Sequence, residues 1–163
     1  MDITLDDGNQ KFNYRVSAVM IRDGKILAML DERFGYFYLP GGRVQIGETA
    51  EQAVIREVQE EIGVTAKVIR PLWLNQAFFT LEEDGRKRHE LCIYFLLDVS
   101  QTDLSARGKR FTTNEGDRTH QFEWLEFDRL KDVYFFPLFL KREIFNLPAE
   151  LKLRTEIESD SQL

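Results

Sequence analysis

The chain has 163 residues, of which 43% are hydrophobic and 12% are aromatic. This supply of apolar side chains is enough for a packed core, and the thirteen phenylalanines exclude an intrinsically disordered protein. The formal charge of −6 and the pI near 5.1 argue against a protein that binds a nucleic-acid polymer, because such binding needs clustered Lys and Arg. The length favours one domain over residues 1–163.

The chain carries no recognisable targeting or membrane segment. Its start, MDITLDDGNQK, has no basic stretch followed by an apolar one, and no apolar run approaches the ~20 residues of a transmembrane helix. We therefore expect a cytoplasmic protein without a membrane partner, either monomeric or assembled as a homodimer. Cys92 lies in the apolar run LCIYFLL, and we expect it to fill space in the core rather than to react.

Two β-hairpins are predicted. Residues 13–30 contain two β-rich runs around the dipeptide Asp23-Gly24, which is typical of a tight hairpin turn. Residues 64–81 and 86–100 are also β-rich and are separated by EEDG, which predicts a second and longer hairpin.

Between the hairpins the pattern predicts one helix, from about residue 50 to 62. Thr49 is followed three residues later by Gln52, as in a capping box, and the apolar residues then recur with helical spacing. Gly63 follows the last of them, in the position where a glycine commonly ends a helix.

The C-terminal part is more polar. Residues 100–118 contain two glycines and predict a long functional loop, after which THQFEWLEF (119–127) returns to strand character. FDRLKD and PLFLKREIF predict one or two closing helices, and residues 149–163 are expected to fray. This mixture of strands and helices indicates an α/β sandwich built on a mixed sheet.

The predicted helix carries three glutamates, Glu57, Glu60 and Glu61, near its C-terminal end. A solvated acidic face is the ordinary explanation of such a cluster. Glu57 and Glu61, however, are a like-charge pair one turn apart beside the apolar stripe, and the helix dipole disfavours anions in the last turn. A divalent cation would relieve these repulsions, and Mg²⁺ prefers such oxygen ligands.

The spacing around this helix is specific. From Gly42, five residues lead to Glu48, and seven more lead to REVQEEIGV, which begins at Arg56 and ends at Val64. This pattern resembles the Nudix box, in which G, five residues, E and seven residues precede REUXEEXGU, with U a bulky aliphatic residue. The match has no gap and no substitution.

The resemblance to Nudix hydrolases extends over about residues 12–146. It implies an α/β/α sandwich with a mixed β-sheet and a catalytic loop-helix motif. It also implies a Mg²⁺-dependent pyrophosphohydrolase, with Mn²⁺ as an alternative cation. The implied substrate is a small molecule, either a nucleoside diphosphate derivative or a nucleoside triphosphate.

The resemblance also implies roles for single residues. Glu57 and Glu61 are the implied metal ligands, Glu60 is a further ligand or the general base, and the Gly41 carbonyl joins the metal shell. The implied catalytic residues are Glu60, Glu61, Arg56 and Glu115, the last as an alternative base from a loop. Substrate binding is assigned to Gly42, Tyr38 and Arg43. Glu48, Arg56 and Gly63 are implied to shape the motif.

Several alternatives stay open. A non-catalytic nucleotide sensor of the same family would also bind nucleotides, although such modules typically show eroded glutamates. Glu115 is alternatively an ordinary solvated acid. Leu140 stands where MutT-type relatives carry a purine-reading asparagine, which argues against a preference for oxidised guanine. The aromatic residues between Phe34 and Tyr38 either stack on a nucleotide base or belong to the core.

The basic clusters Arg86 to His89 and Arg107 to Arg110 either steer a polyphosphate or form solvated loop surfaces. His89 and His120 are weaker candidates for substrate contacts, because neither has a metal-ligand or nucleophile spacing around it.

Overall fold

The computed structural model describes residues 1–158, which form ten strands, two α-helices and two 3₁₀ helices. The strands are Thr4–Asp6 (β1), Gln10–Arg22 (β2), Lys25–Asp31 (β3), Tyr36–Tyr38 (β4), Gly41–Arg43 (β5), Lys67–Thr80 (β6), Lys87–Asp98 (β7), Arg110–Glu115 (β8), Arg118–Glu126 (β9) and Lys152–Ile157 (β10). The α-helices are Ala50–Ile62 (α1) and Leu140–Glu143 (α2), and the 3₁₀ helices are Leu104–Arg107 and Phe127–Asp132.

The long strand β2 connects the two halves of the sheet. Its last residues pair antiparallel with β3 around a turn in which Asp23 and Gly24 have positive φ, which confirms the first hairpin. The rest of β2 pairs in parallel with β7, and β7 pairs antiparallel with β6 as the second hairpin predicted. The main path of strands is β10-β6-β7-β2-β3-β9-β8, so the sheet is mixed.

Each face of this sheet carries a helical layer. Alternate residues of β2, among them Val16, Ala18 and Met20, pack in one core cluster with the apolar stripe of α1. Val19 belongs to the opposite cluster, together with residues of the segment 127–147. These two clusters form the predicted α/β sandwich. Cys92 is buried in the second cluster, as predicted, and its Sγ lies 3.3 Å from the Ser17 Oγ.

The ends of α1 confirm the capping pattern. The Thr49 hydroxyl accepts a hydrogen bond from the Gln52 N–H at 3.1 Å, and the Gln52 side chain accepts one from the Thr49 N–H at 2.9 Å. Gly63 has φ of 79° and ψ of 26°, and its N–H donates to the Gln59 carbonyl. Together the two caps place the glutamates in the last two turns of the helix.

The prediction of a loop over residues 100–118 is wrong for Arg110–Glu115. This segment forms strand β8 and pairs antiparallel with β9. The segment is polar, but its residues alternate between exposed and half-buried. Of the half-buried ones, Phe111 packs on the core cluster of α1 and Thr113 bonds the Glu61 carbonyl. Only Phe111 among them is apolar, so the period-2 signal was too weak to indicate a strand. Strand β9 agrees with the predicted segment 119–127.

The closing region also differs from the prediction. FDRLKD forms a 3₁₀ helix, and PLFLKREIF contains a single turn of α-helix at Leu140–Glu143. The prediction that the chain frays from residue 149 is wrong for Lys152–Ile157. These six residues form β10, which pairs in parallel with β6. Residues 159–163 lie outside the described residues. Within residues 1–158, no helix combines the length and the apolar character needed to cross a membrane.

Candidate active site

The loop-helix segment 41–63 is folded around the guanidinium group of Arg56. Its Nε and Nη2 donate to the two carboxylate oxygens of Glu48 at 2.7 and 3.1 Å. Nη2 also donates to the Arg43 carbonyl at 3.0 Å, and Nη1 donates to Glu57 at 2.8 Å. A planar, five-donor group suits this arrangement, so one side chain fixes the loop, strand β5 and the helix.

Glu48 completes the loop side of this network. Its second oxygen also accepts a hydrogen bond from the Gln45 N–H at 2.9 Å. The hydrogen bond from Arg56 lowers the pKa of Glu48, although partial burial opposes the shift. The carboxylate therefore stays charged and rigidly oriented, and the structure brings together the Glu48 and Arg56 pair expected from the sequence.

Glu61 is the most buried carboxylate of the site, with 7% of its surface exposed. Burial raises its pKa to about 8, and the charges of Glu57 and Glu115 act in the same direction. The Gly41 N–H, which donates to Glu61 at 2.8 Å, opposes the rise. Burial also raises the pKa of Glu57, against the hydrogen bond from Arg56. Two acids are thus held together in a site that disfavours their charges.

Gly41 and Gly42 allow the backbone to approach these acids. A Cβ on Gly42 would lie 2.3 Å from the Glu57 Cδ, and one on Gly41 would lie 2.1 Å from the Val16 carbonyl oxygen. Gly41 also has φ of 155° and pairs with Ser17 of β2. The obstacle at position 41 is backbone, so only glycine fits there, whereas a side chain at position 42 would push the Glu57 carboxylate out of its place. Strand β5 therefore lies directly against the acidic end of the site.

Glu60 lies beside Glu57, because both carboxylates accept from the Arg56 Nη1. It is exposed, and its closest oxygen lies 3.3 Å from the Arg56 Nη1. Within residues 1–158, no group of three His, Cys, Asp or Glu side chains already lies close enough to hold a metal ion. The glutamates are held by other partners: Arg56 donates hydrogen bonds to Glu57 and Glu60, and Glu61 accepts one from the Gly41 N–H.

Strand β8 places Glu115 beside the helix. Glu115 ends this strand and shares a 2.8 Å hydrogen bond with the Nε2 of His120, which is buried on β9. The expectation that Glu115 belongs to a loop is therefore corrected. Its charge nevertheless contributes to the raised pKa values of Glu57 and Glu61, so it faces the same site.

Two other residues attach the β8 region to the end of α1: Thr113, which sequence reasoning missed, and Arg107, which was expected to steer a polyphosphate or to lie on a solvated loop surface. The Thr113 hydroxyl donates to the Glu61 carbonyl, and the Arg107 Nη1 donates to the Ile62 carbonyl at 2.8 Å. These bonds satisfy carbonyls that the last turn of a helix leaves without partners. The available signal for Thr113, its alternation with Phe111 and Glu115, was too weak to indicate the strand.

The remaining sequence candidates differ in their placement. Tyr38 is half-buried, and burial followed by the charge of Glu61 raises its pKa to about 12, so it borders the acids. Arg43 donates to Asp2 at 3.3 Å, which ties it to the N-terminal segment. Leu140 is fully buried in the second core cluster.

A sequence model described as the NUDIX domain matches residues 11–143. The chain belongs to the Nudix family. Over 123 residues it is 32% identical to an ADP-ribose pyrophosphatase of Methanocaldococcus jannaschii, in an alignment covering 74% of this chain and 65% of that protein. Over 59 residues it is 65% identical to an 8-oxo-dGTP diphosphatase of Escherichia coli strain K12, covering 36% and 41% of the two chains.

The chain thus spans no more than 65% of the length of these two curated relatives. Among solved structures, a mutator MutT protein from Bacillus halodurans matches with a TM-score of 0.64 at 17% identity, covering 91% of this chain and 92% of that chain. At this identity the likeness shows a shared Nudix fold.

Arg15 is a further charged residue near the Nudix motif that sequence reasoning missed. It forms an ion pair with Glu90 across β2 and β7 at 3.4 Å. Burial alone would lower the pKa of Arg15, but the Glu90 carboxylate and weaker charges, including that of Glu61, raise it overall. An arginine inside the otherwise apolar run YRVSAV was the available signal.

The other sequence candidates outside the Nudix motif mainly support the fold. Tyr36 contacts Phe34 and Tyr38 in an aromatic cluster around β4, and Phe37 packs on the second core cluster. His89 stacks on Phe78 with ring centroids 4.4 Å apart.

The basic clusters are largely paired within the fold. Arg86 bonds Asp6, Arg88 bonds Asp84, and Arg110 bonds Glu123.

We predict that Arg56→Lys lowers the free energy of unfolding by about 1–3 kcal/mol, because a lysine cannot bond Glu48, Glu57 and the Arg43 carbonyl together. Urea denaturation followed by tryptophan fluorescence measures the change. Arg33→Lys is the matched control: Arg33 also bonds one carboxylate twice, but its side chain is 64% exposed against 24% for Arg56. Equal losses in the two variants would contradict the central role of Arg56.

Proposed function

We propose that this Nudix protein is a pyrophosphohydrolase that uses Mg²⁺, or alternatively Mn²⁺, to cleave a phosphoanhydride bond. The substrate class is a nucleoside diphosphate derivative or a nucleoside triphosphate. The observation that carries the proposal is the placement of Glu57 and Glu61 against the backbone of Gly41 and Gly42 in a partly buried site. The names of the relatives, an ADP-ribose pyrophosphatase and an 8-oxo-dGTP diphosphatase, support it.

The donor set fits a hard divalent cation. Glu57 and Glu61 offer carboxylate oxygens whose charges repel each other and are disfavoured by burial, so a cation would stabilise both. Glu57, Glu61 and the Gly41 carbonyl would hold the ion, with Glu60 as a further ligand or as the base. When bound, the ion would neutralise charge on the phosphate oxygens and lower the pKa of the attacking water.

The other residues of the site position the reacting groups. Arg56 and Glu48 hold the loop and the helix in register, which keeps the glutamates at fixed distances from strand β5. Glu115 would accept the proton of the attacking water, and its hydrogen bond with buried His120 fixes the orientation of its carboxylate. The charge of Glu115 acts on Glu57 and Glu61, which supports placing the base and the metal ligands of this proposal in one site.

The direct test is an assay of the purified chain on a panel of nucleoside triphosphates and nucleoside diphosphate derivatives. We expect release of phosphate, pyrophosphate or a nucleoside monophosphate from at least one of them, dependent on Mg²⁺ or Mn²⁺ and abolished by EDTA. Calorimetry on the same panel provides the contrast: clear nucleotide binding without turnover would favour a sensing module over an enzyme.

We predict that Glu57→Gln lowers kcat more than about a hundredfold and raises the Mg²⁺ concentration needed for half-maximal rate, because a neutral amide replaces a charged ligand. Steady-state rates over a Mg²⁺ titration measure both effects. Glu51→Gln changes an exposed acid in the first turn of the same helix and serves as the control. A Mg²⁺ requirement unchanged by Glu57→Gln would exclude Glu57 as a ligand.

Glu115→Gln is expected to lower kcat by about 10² to 10⁴ while leaving the Mg²⁺ requirement unchanged, since removal of a general base slows proton transfer only. The same titration distinguishes this result from loss of a ligand. Glu126→Gln, at an exposed position of β9, is the control. If Glu115→Gln stays within about threefold of the wild type, the base is assigned to Glu60 instead.

We predict no large selectivity for oxidised guanine. Leu140 is apolar and fully buried, so this position offers no hydrogen bond to a purine edge. A site without such a partner discriminates weakly between analogues. The kcat/KM for 8-oxo-dGTP should therefore lie within about a hundredfold of that for dGTP, and a larger ratio in favour of 8-oxo-dGTP would refute this prediction.

A further inference from the structure

A cavity of about 390 Å³ lies between α2 and β10, outside the Nudix motif. The helix α2 and the residues next to it provide one wall, and β10 provides the other. The lining residues are Phe139, Arg142, Glu143, Asn146, Lys152 and Arg154. Small-molecule sites typically have volumes of roughly 300–1,000 Å³, so this cavity can hold a small ligand.

Buried polar atoms without a partner are concentrated around this cavity. Within residues 1–158, five buried side-chain nitrogen or oxygen atoms have no hydrogen-bond partner in the chain. Four of the five lie in this part of the fold, and they are Glu143 Oε2, Arg154 Nε, Trp73 Nε1 and Asn75 Oδ1. Because a buried polar atom without a partner is unfavourable, this grouping indicates that a polar molecule occupies the cavity.

Two of these four residues line the cavity, and the other two lie in the layer next to it. Asn75 is only 1% exposed and pairs with Arg154 in the register of β6 and β10. Trp73 is fully buried and packs edge-to-face on Phe139, with ring centroids 5.1 Å apart. The Arg154 Cζ lies 4.3 Å from the centroid of the same phenylalanine ring. These contacts hold the Arg154 side chain in place beside the cavity.

The charges of the lining residues favour an anion. Lys152 and Arg154 both pair with the same oxygen of Glu143, its Oε1, at 3.3 and 2.7 Å. One carboxylate thus serves two cations, and the exposed Arg142 adds a third positive charge. Glu156 is close enough to act on Arg154 and Glu143, but even with its charge the positive groups outnumber the negative ones.

The donors and acceptors of the cavity indicate the chemistry of its ligand. A phosphate monoester carries a charge of about −1.5 to −2 at neutral pH, which suits a lining with three cations and one carboxylate. Guanidinium groups bind phosphate oxygens through charge-assisted hydrogen bonds, and the Arg154 Nε is a donor without a partner. The Glu143 Oε2 is an acceptor without a partner, so it favours a ligand that also carries a hydroxyl group.

We propose that the cavity between α2 and β10 binds a small phosphate monoester that carries hydroxyl groups. The phosphate contacts Arg142, Lys152 and Arg154, and one hydroxyl donates to Glu143. The site uses no residue of the Nudix motif, so this binding is independent of a metal ion and of the proposed hydrolase activity.

Isothermal titration calorimetry of the full chain with glycerol 3-phosphate, in the presence of EDTA, tests the site. We expect a Kd below about 1 mM at low salt. Sulfate has the charge but no hydroxyl group, so it should bind at least about fivefold more weakly, and uncharged glycerol should not bind. A Kd above about 10 mM for glycerol 3-phosphate, or an equal affinity for sulfate, would overturn the proposal.

Substitutions in the lining locate the binding. Arg142→Gln and Lys152→Gln each remove one positive charge at an exposed position and should each raise the Kd at least about fivefold. Arg129→Gln is the matched control, because Arg129 is exposed and lies in the 3₁₀ helix outside the cavity. Glu57→Gln should also leave this Kd unchanged. Wild-type affinity in both cavity variants, or a loss of affinity in Glu57→Gln, would place the binding elsewhere and overturn the proposal.

The two tryptophans provide a local readout of the same titration. Trp73 belongs to the second core cluster and contacts Phe139, whereas Trp124 belongs to the first cluster on the other face of the sheet. Each indole N–H gives one signal in a proton–nitrogen NMR spectrum, and Trp73→Phe assigns the two signals. We expect glycerol 3-phosphate to shift the Trp73 signal and to leave the Trp124 signal in place. A Trp73 signal that does not move at saturation would contradict the proposed site.

Discussion

The bidentate contact between Arg56 and Glu48 is the interaction on which the geometry of the candidate active site depends. It joins a side chain in the middle of α1 to the loop before the helix, and the remaining donors of Arg56 reach Glu57 and the Arg43 carbonyl. A loop has no regular backbone pattern of its own, so its position must come from such contacts. Arg56 therefore sets the distance between the glycine backbone and the acids.

The packing around Arg56 also explains how the site tolerates its acids. Glu61 is almost fully buried, which a carboxylate tolerates only with hydrogen bonds or a cation nearby. The close approach of strand β5 provides one such bond from the Gly41 N–H. This approach requires glycine at position 41, and a side chain at position 42 would displace the Glu57 carboxylate. Stability of the folded chain and placement of the acids thus rest on the same contacts.

Sequence patterns predicted the elements whose ends are fixed by contacts between residues a few positions apart. Thr49, Gln52 and Gly63 fix the ends of α1 through bonds within a few residues, and the Asp23-Gly24 turn fixes the first hairpin in the same way. The fixed spacing of the motif likewise identified its glutamates. Strands β8 and β10 were missed because both are polar edge strands whose partners lie elsewhere in the chain. Thr113 and Arg15 also bond residues in distant segments of the chain, and a local sequence pattern does not indicate such partners.

The parallel pairing of β2 with β7 has a consequence for the newly synthesised chain. Gln10 pairs with Lys87 and Met20 with Leu97, so the central strand has no partner on that side until β7 has been made. At typical translation rates this delay is on the order of 4–15 s. During that time the run VSAVM, whose residues are buried in the folded protein, lacks the cover that β7 later provides. Unpaired apolar strands are prone to aggregation, so the hazard for this chain falls in the interval before β7 is made, however stable the finished fold is.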